Sequence, residues 1–186
     1  MPGTDSGRRA CTHVTSPATD EKALAAESDF EGFYRAEVDR VYRALVVTLG
    51  DRDLAREATD EAMARAYARW HKVSAHDNPG GWVFRVGLNW ATSWWRKVRR
   101  ERPLLWDRVS TSGAYPPTDP VGVAALAALQ AQPRAFRAVV VCRVLLGLST
   151  VETAAVLGVA EGTVKSRLAR ALAGMRETLT TEEREP

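Results

Sequence analysis

The chain is poor in the residues that build covalently or metal-held folds. Its 186 residues hold two cysteines, Cys11 in a polar head and Cys142 inside an apolar run, and three histidines. A disulfide framework is thereby excluded, and Cys142 is expected as a small core residue. His71, His76 and Asp77 share one loop but lack a fourth ligand or a nearby Cys, so neither a metal nor a cofactor is expected. No apolar stretch approaches the roughly 20 residues that span a bilayer; the run that begins at Ala138 is broken by Arg143. Arg8 and Arg9 lead into Ala10-Cys11-Thr12-His13, not into the apolar core of a signal peptide. These absences predict a cytoplasmic protein without membrane insertion. Ser, His and Asp occur in no arrangement that gives a nucleophile an adjacent base, and no Gly-rich phosphate loop follows a strand, so no enzyme is expected. Alternating polar and apolar runs of strand type are also missing, which leaves an all-α chain. Charge of one sign is scarce as well: 26 Lys and Arg stand against 23 Asp and Glu, a net +3. What the charge does depends on where it sits.

What is present is helical periodicity in two blocks. Residues 1–27 are rich in Thr, Ser, Asp, Pro and Gly and are expected to form a disordered tail. Phe30, Phe33, Tyr34, Val38, Val41, Tyr42, Leu45, Val46 and Leu49 then draw one apolar stripe at a spacing of three and four, with Ser28 and Glu31 as a capping box and Gly50 as the stop. A second helix is expected over 53–70, a loop over 71–81 punctuated by Asn78-Pro79-Gly80-Gly81, and a third helix over 82–100. Pro103, Gly113, Pro116, Pro117 and Pro120 mark a linker. Beyond it, 121–131 predicts a short helix, and Pro133 suits the first turn of another that stops at Gly147. The organisation is therefore two small helical domains, 28–101 and 121–180, joined by a flexible linker at 102–120.

The last part of the chain has the layout of a helix-turn-helix. Ser149 and Glu152 supply a capping box, Gly158 makes the turn, and a longer helix starts near Glu161. On that helix Thr163, Ser166, Arg167 and Arg170 gather within an arc of roughly 100°, while Val164, Leu168, Leu172 and Met175 gather on the other side. A helix so divided fits the major groove, where Arg and Ser reach base edges and Lys165 reaches a phosphate. An isolated basic stripe is more often a solvated face; here the small Ala154 and Gly158 at the crossing and the short-turn-long pattern favour DNA binding.

The helix after the Gly-rich loop is divided in the same way. Arg85, Asn89, Thr92, Ser93, Arg96, Lys97 and Arg100 occupy one arc, opposite Val83, Phe84, Leu88, Ala91, Trp94, Trp95 and Val98. Trp82 falls on the polar arc, where its indole suits either a platform for an unstacked base or a cover over the loop; spacing alone does not choose. The basic residues at the helix end suit phosphate contact or compensation of the helix dipole equally.

Taken together, the two halves resemble the bacterial sigma factors of the extracytoplasmic-function (ECF) type, with details closest to an actinobacterial subgroup. The residues that carry the resemblance are Phe30-Glu31-Gly32-Phe33-Tyr34, Asp39-Arg40-Val41-Tyr42, Ala66-Tyr67-Ala68-Arg69-Trp70, Trp82-Val83-Phe84-Arg85-Val86-Gly87-Leu88-Asn89, and Gly162-Thr163-Val164-Lys165-Ser166-Arg167-Leu168. The resemblance implies core RNA polymerase and promoter DNA as partners, and leaves an anti-sigma factor open as a third. It implies that Glu57, Asp60, Glu61 and Arg65 face core polymerase. Asn78, Trp82, Arg85, Asn89, Ser93, Arg96 and Lys97 would then take the −10 strand, and Thr163, Lys165, Ser166, Arg167 and Arg170 the −35 duplex. The chain departs from the family pattern at Glu57-Ala58-Thr59-Asp60-Glu61 and at Ala160, which stands where a Ser commonly caps the last helix, a loss of roughly 1 kcal/mol. The rival is a stand-alone LuxR-like helix-turn-helix regulator, in which the helix over 82–100 has no task. A nucleic-acid enzyme is a further rival, opposed by the missing carboxylate cluster, metal set and nucleophile.

Overall fold

Helix α1 covers Pro17–Leu49 and so begins well before Ser28, where the capping pattern placed its start. Pro17 suits a first helical turn, and Glu21, Lys22, Ala23, Leu24, Ala25, Ala26 and Glu27 are strong helix formers. Few large side chains lie there, which suggested a tail, but extending an existing helix is far cheaper than nucleating one. This computed structural model describes residues 17–101 and 120–182, with side chains over 29–94 and 121–180. The expected tail before Pro17 and the linker residues 102–119 lie outside the described residues.

Over its last turn and a half α1 is buried all round: Ala44, Leu45, Val46, Val47 and Leu49 are apolar, and Thr48 is the one polar residue among them. A helix end that is apolar all round must be covered on every side. Helix α2, Arg52–Ala68, and helix α4, Pro79–Glu101, cover one side. The opposite side, bearing Val46 and Val47, faces Leu126, Leu129, Val140 and Val141 of the C-terminal half. Thr48 is fully buried there, with its hydroxyl donating to the Ala44 carbonyl at 2.8 Å.

α2 starts one residue before its expected position because the Asp51 carboxylate accepts the Leu54 N–H at 2.9 Å. It also ends before Trp70. Arg69 leaves helical geometry with φ −128°, and Trp70 opens a short α3, Trp70–Val73. That break turns the indole back over α1, where Nε1 donates to Asp29 at 3.0 Å and the ring lies 4.7 Å from Phe33 and 5.3 Å from Phe30. α4 crosses α2 at Gly87, where a Cβ would stand 2.9 Å from the Leu45 Cδ1 and 3.0 Å from the Ala58 carbonyl oxygen. Only glycine permits so close a crossing.

The C-terminal half comprises α5 at Pro120–Gln130, α6 at Arg134–Val140, a π-helical turn at Val141–Leu145, α7 at Thr150–Leu157 and α8 at Glu161–Glu182. The single helix expected over 134–146 changes to the wider turn at Val141. Val139, Ala154 and Val164 form a small core of their own. Val140, Val141, Cys142, Leu146, Leu148 and Ala171 belong instead to the same apolar cluster as Leu45 and Phe84. The two helical units thus share a core built around α1, and the Arg40 guanidinium adds a hydrogen bond to the Leu145 carbonyl at 3.1 Å. Among the described residues there is no strand, and no helix is long and apolar enough to cross a membrane.

Candidate nucleic-acid and polymerase interfaces

The amino-terminal end of α4 is built by Asn78. Its side-chain oxygen accepts the Gly81 N–H at 2.7 Å, which caps the helix, and Pro79 fills the first helical position, where no N–H is needed. The helix therefore starts before Trp82, and the side-chain oxygen of Asn78, one of the residues expected at the −10 strand, is engaged by the backbone. The Trp82 indole is half-buried and stacks on the His76 imidazole with centroids 6.5 Å apart and planes at 24°. One face of the ring thus lies toward the loop that carries His76.

Below the first turn, Arg85, Asn89 and Ser93 are all exposed. With Trp82 they recur at intervals of three and four and form one stripe about 16 Å long. Burial on the opposite side ends at Ala91. Trp94, which the pattern put on the packed side, is 40% exposed because the helix has passed its partners by then. The side chains of Arg96 and Lys97 lie outside the described residues.

The helix-turn-helix is assembled as its motif predicts. Ser149 accepts the Glu152 N–H at 3.1 Å, and the Glu152 carboxylate accepts the Ser149 N–H at 2.7 Å. Hydrogen bonds to the carboxylate from the Ser149 side chain and the Ser149 N–H hold the Glu152 carboxyl below the ordinary carboxylate range, with smaller contributions from the Asn78 side chain and the Arg143 charge. Gly158 takes φ +65°, a left-handed conformation that ends α7 and starts the turn. Ala160 offers only its carbonyl, which accepts from Thr163 and Val164 at 2.9 and 3.1 Å. On α8, Val164 and Ala171 are buried, Lys165, Ser166 and Arg170 are exposed, and Thr163 and Arg167 are half-buried. The Ser166 hydroxyl donates to the Thr163 carbonyl at 3.1 Å. The arc of Thr163, Ser166, Arg167 and Arg170 therefore points away from the Val139 and Ala154 core, as a duplex-reading face must.

A third surface lies on α2. Glu57, Asp60 and Arg65 are exposed, Glu61 is half-buried, and together they make one outward ridge on α2. Arg65 Nε donates to Glu61 at 2.7 Å. Asp60 stands at the mouth of a cleft that also holds Tyr34, Asp39, Arg43 and Arg56, with the Arg56 guanidinium 5.3 Å over the Tyr42 ring. Sequence reasoning missed this cleft, since its walls come from α1 and α2 together.

Residues 123–175 match the family model described as Sigma-70, region 4. The RNA polymerase sigma-E factor of Streptomyces coelicolor is 33% identical over 157 residues, covering 83% of this chain and 88% of that protein. The ECF RNA polymerase sigma factor SigE of Mycolicibacterium smegmatis is 32% identical, covering 83% of this chain and 63% of its own length. Among solved structures, the sigma factor RpoE of Bartonella quintana, crystallised with the anti-sigma factor NepR, superposes with a TM-score of 0.71 at 22% identity, covering 82% of this chain and 97% of that one.

Proposed function

The chain belongs to the extracytoplasmic-function group of sigma-70 RNA polymerase sigma factors, of actinobacterial type, and from that premise we propose how its surfaces divide the work. The two units of the proposal are 28–101, which engages core polymerase and the −10 element, and 121–180, which engages the −35 element. The ridge of Glu57, Asp60, Glu61 and Arg65 meets core polymerase. The stripe of Trp82, Arg85, Asn89 and Ser93, continued by Arg96 and Lys97, takes the separated −10 strand, with Asn78 shaping the turn above it. Thr163, Ser166, Arg167 and Arg170 meet base edges of the −35 duplex, and Lys165 meets a phosphate.

The observation that carries this assignment is the coexistence of two outward polar stripes, one on α4 and one on α8, on helices whose other faces are packed. A lone helix-turn-helix regulator has no use for the first. In this account the protein does no covalent chemistry of its own and works in the cytoplasm beside the polymerase. An anti-sigma factor is a fitting partner, as one is bound to the Bartonella quintana protein of the same fold.

One experiment separates the two stripes. Holoenzyme carrying Asn89→Ala or Arg167→Ala is bound to a panel of −35 variants and probed with permanganate for strand opening. Asn89→Ala should keep duplex binding and lose melting. Arg167→Ala should keep melting on strong sites and lose about 1–3 kcal/mol of discrimination at one −35 position. Unchanged behaviour of both variants would refute the division of roles.

A further inference from the structure

The carboxylate of Glu37, on α1, belongs to none of the three surfaces above and sits under the first turn of α4. Its Oε2 is closed off from solvent and has no hydrogen-bond partner among the described residues. A Cβ at Gly80 would stand 2.7 Å from that atom, so the glycine at the second position of α4 makes the room that the carboxylate occupies. Oε1 is 3.4 Å from Nη1 of Arg40, whose Nε donates to the Leu145 carbonyl.

Two features of that end of α4 decide what can approach it. Hydrogen-bond donors are scarce: Pro79 has no N–H, and Asn78 accepts from Gly81 through its side chain and from Trp82 through its carbonyl. The second feature is electrostatic. A helix of 23 residues carries a partial positive charge at its amino end, and the Glu37 carboxylate lies against it. The position that a phosphate takes at a bare helix start is thereby filled from inside the protein. Cations for a nucleic-acid backbone come later along the helix. Arg85 is exposed about one and a half turns on, and Arg96, Lys97, Arg99 and Arg100 follow in the sequence.

We propose that Glu37 is a specificity-determining residue for the −10 strand: its carboxylate fills the anion position under the first turn of α4, so that this end of the helix admits an uncharged base and turns away a phosphate. This rests on the −10 role given to α4 above. The strand is thereby held in one register, with a base toward Trp82 and its backbone toward Arg85 and the basic residues beyond. Glu37→Gln keeps the size of the side chain and an oxygen for Arg40 but removes the charge, which opens the position to a phosphate. Such a contact carries no sequence information, so a mismatched strand gains most from it.

In the test, holoenzyme is titrated with dye-labelled single strands that carry the −10 sequence of a promoter found by run-off transcription, either intact or with one base replaced. Co-elution with core polymerase and circular dichroism verify each variant. Glu37→Gln should raise affinity for the mismatched strand about three- to tenfold, raise that for the intact strand less, and steepen the salt dependence by about one counterion. Glu37→Asp, which keeps the charge but draws it back from Gly80, should fall between. Glu31→Gln makes the same change in net charge about 9 Å along α1, at an exposed residue paired with Arg35, and should alter neither affinity. Mismatched-strand affinity at the wild-type level in Glu37→Gln would overturn the proposal, and so would a gain shared equally by both strands or by Glu31→Gln. Asn89→Ala judges the −10 role in the same titration. If it leaves strand affinity unchanged, that role fails and the Glu37 role with it; a loss with Asn89→Ala beside unchanged Glu37→Gln removes Glu37 alone.

Discussion

Replacing Gly87 by Ala tests the crossing on which the α4 stripe depends. In an open helix this change stabilises by about 1 kcal/mol, since alanine loses less backbone freedom on folding. At Gly87 the new methyl would sit 2.9 Å from Leu45 Cδ1 and 3.0 Å from the Ala58 carbonyl oxygen. Leu45 is fully buried and the Ala58 oxygen is backbone, so neither has room to yield without moving α2 against α4. Overpacking of that kind costs about 1–3 kcal/mol, and the net effect is a loss of about 1 kcal/mol. Gly32 provides the internal control: it lies within α1 with nothing within 4 Å of a built Cβ. Gly32→Ala should therefore gain about 0.5–1 kcal/mol. Urea unfolding of the pair, followed by circular dichroism, should move the midpoints in opposite directions, with melting temperature shifting by about 2–4 °C per kcal/mol at this size. If Gly87→Ala stabilises as much as Gly32→Ala, α2 and α4 do not cross as closely as described, and the placement of the strand-binding stripe fails with it.

Charge reversal at Asp60 and Glu61 should weaken co-elution with core polymerase while costing only a few tenths of a kcal/mol of helix stability through the lost Arg65 pair; undiminished co-elution would remove the polymerase from that ridge. On the −35 side, Lys165→Ala should weaken holoenzyme binding to every promoter alike and lower the salt dependence by about one counterion, unlike the base-specific loss expected for Arg167→Ala. Burial pushes the Cys142 thiol up from 9.0 to about 12. Between those values the folded chain keeps a proton that the unfolded chain releases, so this group makes stability fall as pH rises through that window. Cys142→Ala should lack that component, and urea midpoints of the two proteins at about pH 8 and about pH 10.5 should diverge accordingly; parallel midpoints would mean the thiol is not shielded.

The motifs with local grammar were legible from residue order. The Ser149 and Glu152 box, the Gly158 turn and the inward Val164 all rest on neighbours within a few positions, and the structure forms each of them. The early start of α1 was hidden because the Ala-rich stretch after Asp20 was averaged with a polar head. Asn78 and Pro79 read as loop punctuation in the sequence, although the same pair is a helix cap and first turn. The packing of the halves had a signal that one stripe could not express: Ala44 and Val47 stand off the main stripe of α1 and yet are apolar, which marks a helix with neighbours on both sides. Contacts between Gly81 and Val156 bring together residues far apart in the chain, and nothing in periodicity reports them.

Run-off transcription with purified core polymerase and genomic templates is the most direct test of the central claim. Addition of this chain should produce discrete transcripts that core polymerase alone does not make, and promoters for which these are lost should be those altered at −10 or −35. Absence of any such transcript, together with sequence-specific binding of a dimer of this chain to duplex DNA without polymerase, would contradict the account.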